Sequence, residues 1–205
     1  MEGQEYLNQI SATVRPEKKS GGGGFLSSKF FLVGTIGVVL LVVIMIIGML
    51  LGGGKGGEKN LSFALKLHLD NTSAVIQKYQ PNVKSSDLRS SSASLYSVLS
   101  NTSRDLTNYI TEKYDYKEKN VNKNLVEEAT TAKDALENEL FKAKINGIMD
   151  RIYAHKMAYE IAAFMMEESK LINSTGNATL KESLTTSYNS LKNLYDKFND
   201  FSETK

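Results

Sequence analysis

The segment LRSSSASLYSVLSNTSRDLTNY, residues 88–109, places Leu88, Ser92, Leu95, Leu99, Thr102, Leu106 and Tyr109 at spacings that alternate between four and three. That period belongs to an α-helix with one buried face, and its strict alternation is that of a helix packed lengthwise against others, as in a coiled coil. Asp87 is the expected first residue of this helix, and the charged stretch after Tyr114 its end. Upstream, Asn60 is a plausible N-cap for a helix carrying Leu61, Leu65, His68, Thr72, Val75, Ile76 and Tyr79, stopped by the turn Gln80-Pro81-Asn82. Downstream, Leu125, Ala129, Ala132, Leu136 and Leu140 are followed by Phe141, Ile145, Ile148, Ile152 and Tyr159 without a slip in period. The spacing therefore predicts one long helix over 122–172, straight or kinked, about 75 Å in length from the rise per residue. Asn146-Gly147 is nonetheless a turn-type pair inside it, and two helices joined there are the alternative. Asn173-Ser-Thr-Gly-Asn177 closes that stretch, Thr179-Leu-Lys-Glu182 fits a capping box, and Leu184, Tyr188, Leu191, Leu194, Tyr195 and Phe198 give the last helix its face.

Composition agrees with an all-α fold. Only two prolines occur, neither beyond Pro81, and thirteen of the fifteen glycines precede Glu58. Nothing in the last 120 or so residues forbids helix except Gly147 and Gly176. Short connections between successive helices imply antiparallel neighbours, so the expected body over 60–205 is an up-and-down bundle of about four helices, one of them long.

Ahead of that body, residues 30–51 read FFLVGTIGVVLLVVIMIIGMLL, with no charge, proline or amide, between Lys29 and Lys55. A helix of this length spans roughly 30 Å, the thickness of a bilayer's hydrocarbon core. Phe30, Phe31, Leu32, Val33, Leu40, Leu41, Ile44, Ile47, Leu50 and Leu51 are its strongest apolar contributors, and a single-pass transmembrane signal anchor is expected. The run is too long for the apolar core of a cleaved signal peptide. Residues 1–29 lack a helical stripe and are expected to form a disordered cytoplasmic tail, and the glycine-rich 52–59 a flexible linker. Arg15, Lys18, Lys19 and Lys29 before the run, against Lys55, Lys59 and Lys66 after it, tilt the positive-inside balance toward a cytoplasmic N-terminus. The C-terminal body is then extracytoplasmic, at the plasma membrane.

Lys18-Lys19 followed by Ser20, four glycines and Phe25, then a long apolar helix, resembles a type IV prepilin leader, in which a basic leader ends at glycine before phenylalanine. That resemblance implies processing at Gly24 and an assembly subunit. The pattern departs at Lys29, where the family usually carries glutamate, and at Gly52 to Gly57, which interrupts the helical stalk expected there.

Recognisable chemistry is scarce. The absence of cysteine removes disulfides, thiolate metal sites and thiol nucleophiles. Four of the 25 Lys and Arg and three of the 23 Asp and Glu precede the apolar run, so the remainder is nearly balanced, and binding to nucleic acid through phosphate neutralisation is not expected. A di-metal bundle site needs Glu-x-x-His on two helices, but Leu65 and Ile152 stand three residues before His68 and His155. Those two histidines fall on packed stripes that can approach across the core, and are expected to meet hydrogen-bond partners there rather than a metal; no cofactor is expected. Ser90-Ser-Ser-Ala-Ser94 has no base at a telling offset. The five N-x-Ser/Thr triplets at Asn60, Asn71, Asn101, Asn173 and Asn177 are within chance for this composition.

Ala154, Ala158, Ala162 and Ala163 with Met157, Met165 and Met166 make residues 154–166 apolar nearly all round. Central burial is the plain explanation; a partner groove or homo-oligomer seam at Met157, Met165 and Met166 is the functional one. The expectation is a non-enzymatic interaction or scaffolding module of the cell envelope, with the lipid bilayer and an unidentified protein as partners. An accessory ligand-binding sensor domain signalling through a partner, or a prepilin-like subunit, are the alternatives.

Overall fold

A computed structural model describes residues 57–117 and 121–204, with side chains described up to residue 201. The apolar run 30–51, the tail before it and the expected cleavage point at Gly24 lie outside the described residues. Among the described residues no helix is long and apolar enough to cross a membrane.

Five α-helices and no strand make up the described chain: α1 (Gly57–Tyr79), α2 (Ser86–Tyr114), α3 (Lys123–Ile145), α4 (Met149–Ser174) and α5 (Ala178–Thr204). A 3-10 turn, Gln80–Asn82, follows α1, with Pro81 in the first turn where its missing N–H costs nothing. Ser85 caps α2 by accepting from the Leu88 amide, and Asn122 caps α3 by accepting from Asn124. Asn177, not Thr179, caps α5: its Oδ1 accepts from the Leu180 amide at 2.8 Å.

The stripes of α1 and α2 are buried as the spacing requires, from Leu61 to Tyr79 and from Leu88 to Tyr109, with only His68 retaining slight exposure. α1 packs on α2, α2 on α5, α5 on α4 and α4 on α1, which closes a four-helix ring. Every neighbour in the ring is antiparallel. Glu58 of α1 reaches Lys113 of α2, Thr102 and Asp105 of α2 meet Ser187 and Ser183 of α5, and Ser187 in turn meets Glu168 of α4. Inside lie Leu65, Leu69, Ile76, Leu99, Leu106, Tyr153, Phe164, Leu191 and Phe198, all essentially sealed from solvent. At about 25 cal/mol per Å2 of apolar surface removed from water, this interior supplies the main drive to fold.

The expected long helix does not exist. Gly147 takes a left-handed backbone with φ 70°, the Ile148 amide donates to the Ala143 carbonyl at 3.0 Å, and the Gly147 amide to Lys144 at 3.3 Å. These two bonds form a Schellman cap, which ends α3 and turns the chain back into α4. The bundle thus has five helices rather than about four, and α3 lies outside the ring, packed on α1 and α4. It buries few side chains of its own, Leu136, Leu140 and Ala143. Polar links hold it instead: Asn71 Nδ2 to the Ala129 carbonyl at 3.0 Å, Tyr79 hydroxyl to the Glu137 carbonyl at 2.9 Å, and the buried ion pair of Lys156 with Glu139.

The break also overturns the stripe expected across it. Phe141, Ile145 and Ile148 are 53, 67 and 41 % exposed rather than packed, because the helical period does not carry through a reversal. The face of α4 that enters the core starts anew at Met149.

Candidate functional site

On α4 the positions Tyr153, Met157, Glu160, Phe164, Glu167 and Leu171 alternate by four and three, and all six are buried. Two carboxylates therefore stand in a seam of otherwise apolar residues, opposite His68 on the packed stripe of α1. His68 Nε2 lies 2.6 Å from Glu160 Oε2, and Nδ1 lies 3.1 Å from both oxygens of Glu167. A carboxylate only accepts, so both ring nitrogens must donate, and the ring is an imidazolium. Burial opposes that charge, but the Glu167 and Glu160 carboxylates outweigh it and push the His68 pKa up to about 10. The Phe164 ring packs against the imidazole, centroids 4.2 Å apart and planes tilted by 40°.

The next residue, Glu168, is fully buried and accepts from the Ser187 hydroxyl at 2.6 Å, while Thr102 donates to Ser187 at 2.8 Å. Burial, with the neighbouring Glu167 charge, raises its pKa to about 8, so at neutral pH it is held as the acid. The seam thus contains one cation, two carboxylates and one neutral carboxyl between the four helices of the ring. Its partners are fixed by the protein itself. Both nitrogens of His68 are engaged, which leaves neither to ligate, and among the described residues no group of three or more His, Asp or Glu is placed to hold a metal ion. A shifted helix register would leave each of these buried charges without its partner, which is costly.

The two histidines have different surroundings. His155 packs edge-on against Tyr159, centroids 4.9 Å apart, and burial together with the Lys156 charge lowers its pKa, keeping the ring neutral. Of the serine run, Ser92 is buried and its hydroxyl returns to the Leu88 carbonyl at 2.7 Å, a helix-internal bond without a base. Sequence spacing placed His68 correctly but did not supply Glu160 and Glu167. The signal was present, as two glutamates seven apart in an all-round apolar stretch, where a buried acid must have a partner.

The three methionines part company. Met157 is fully buried in the core and belongs to no surface, Met165 is half-buried against the core, and Met166 is 44 % exposed. Met165 and Met166 line a cleft of about 460 Å3 between α4 and α5, with Ala162, Ser169, Lys170, Tyr188 and Tyr195. The Lys170 ammonium is buried beside it with no hydrogen-bond acceptor in reach.

The most open apolar surface lies at the end of the ring remote from Gly57, where α3 turns into α4. Phe141 and Ile145, four residues apart on α3, are exposed there with Ile148, whose amide the Schellman bond ties to Ala143 of α3. A cleft of about 510 Å3 adjoins Ile148 and is lined by Lys84, Lys144, Arg151, Met149, Phe201 and Asp150, among others. Asp150 is occupied: its two oxygens accept from the amides of Lys84 and Ser85 at 2.8 and 2.9 Å, tying α4 to the start of α2.

Comparison with known proteins gives no relative: no family model, no curated protein and no solved structure matches this chain.

Proposed function

We propose that this chain is a non-enzymatic helical bundle tethered to a membrane, an interaction or scaffolding module that works at the cell envelope by docking through its exposed end. The observation that carries this reading is the contrast between a closed interior and an open tip. His68, Glu160 and Glu167 satisfy one another inside the described bundle, whereas Phe141, Ile145 and Ile148 remain 53, 67 and 41 % exposed about the end of α3 and the turn into α4. Single exposed apolar residues are ordinary, but a cluster of large ones marks a surface that another body covers. The tether rests on the 22 uncharged apolar residues 30–51, and the extracytoplasmic placement on the lysines ahead of them. Alkaline washing of membranes tests the tether: the full chain is expected to stay with the lipid, and release without detergent refutes it. Proximity labelling from the C-terminus in intact cells tests placement. Labelling of envelope proteins is the expected result, and labelling confined to cytoplasmic proteins refutes it.

A sensor reading is favoured by one feature, the acceptor-less Lys170 ammonium beside the Met165 and Met166 cleft, which suits an acidic small molecule with an apolar body. Native mass spectrometry of the purified full chain would then show a retained acidic ligand, and an unliganded mass counts against it.

A further inference from the structure

We infer that the tip formed by the α3–α4 turn docks onto an anionic lipid surface, with Phe141, Ile145 and Ile148 entering the interfacial layer and Lys84, Lys144 and Arg151 meeting the headgroup charge. This rests on the tethered-module reading above and names the partner of its exposed end.

Shape comes first. Phe141 and Ile145, in the last turns of α3, are exposed and stand outside the cleft that Ile148 lines, so no groove encloses them. A lipid interface needs none: exposed bulky apolar groups sink into the headgroup and acyl boundary. Charge comes second. Among the charged groups lining the adjoining cleft, three are cations, and the single carboxylate, Asp150, is turned inward onto the amides of Lys84 and Ser85. Cations beside inserted apolar residues are the pairing that binds acidic membranes, each worth about fivefold in affinity near the surface. Self-association through this tip would set like charges against one another.

Position comes third. α1 is 23 residues long, so the tip lies about 35 Å along the bundle from Gly57, the first described residue. A tip that far from the N-terminal end of α1 can reach a lipid surface.

The test uses the full chain reconstituted in nanodiscs of phosphatidylcholine and mixed with separate vesicles, either pure phosphatidylcholine or containing about a third phosphatidylglycerol, with capture read by flotation. Anionic vesicles are expected to capture the nanodiscs, neutral ones to do so at least about tenfold less, and 0.5 M salt to weaken capture. Ile145→Asp should reduce capture about tenfold or more, and Lys144→Glu with Arg151→Glu substantially, while circular dichroism stays that of the parent because all these side chains are exposed. Equal capture of neutral and anionic vesicles, equal capture by Ile145→Asp, or nanodisc pairing without vesicles overturns the inference, the last in favour of a second copy of the chain. A chain that elutes apart from nanodiscs refutes the tether instead; the tip is then judged on the same vesicles by native chain against Ile145→Asp, and an equal result overturns it.

Discussion

The charged state of His68 makes the stability of the bundle fall on the alkaline side. The folded ring holds its proton up to about 10, against 6.5 for the free side chain, because Glu160 and Glu167 flank it. A pKa raised on folding contributes stability that is complete below pH 6.5 and is lost as pH rises through 10. At about 1.4 kcal/mol per pH unit that interval sets a ceiling of about 5 kcal/mol, a large share of the 5–15 kcal/mol typical of a whole domain. Glu168 acts in the same direction over a lower window. It keeps its proton to about 8, whereas the unfolded carboxyl releases it near 4.5, so stability declines between those values. Residues 57–205 contain the entire described core and are the material for the assay. Urea unfolding at steps from pH 4.5 to 10 should give a free energy that falls throughout, most steeply between 6.5 and 8, where both groups contribute. His68→Gln should be less stable at pH 6 and should lose the slope above pH 8. Carbon-13 and nitrogen-15 shifts of the imidazole should report a cation at pH 8. A free energy flat between pH 6.5 and 9, or a His68 ring that titrates near 6.5, would refute the buried imidazolium.

Other outcomes follow from particular contacts. Gly147→Ala places a side chain at φ 70°, where no neighbour obstructs it but the backbone resists, and should cost about 1–2 kcal/mol by urea unfolding. Lys156→Met alone strands the buried Glu139 and should cost about 3–5 kcal/mol, whereas Lys156→Met with Glu139→Leu should recover most of that loss; a double variant as unstable as the single would contradict the ion-pair assignment. Phe198→Ala, fully buried against Tyr153, should cost about 3–5 kcal/mol, while Ile145→Asp should change stability by no more than about 0.5 kcal/mol; comparable losses would place the tip in the core.

No part of the candidate tip was visible as surface in the sequence. Phe141, Ile145 and Ile148 sit at good helical spacing with Leu140 before and Ile152 after, and periodicity alone assigns them to the core. Likewise the glutamates of α4 stand in a run so apolar that alanine and methionine dominate its reading, and the partner that makes them tolerable lies about 90 residues away in α1. Local pattern reports which face of a helix is apolar; it does not report which other helix will cover that face.

The chain's own residues determined most of the helices and the buried faces of α1, α2 and α5, because a period near 3.5 residues, proline at 81 and side-chain caps at Ser85 and Asn122 act within a few turns of backbone. Tertiary structure decided that α3 stands outside the ring, that His68 is a cation and that an apolar corner is left uncovered. Those outcomes depend on a reversal at Gly147 and on charges meeting across helices, and both are settled only when distant segments compete for the same interior.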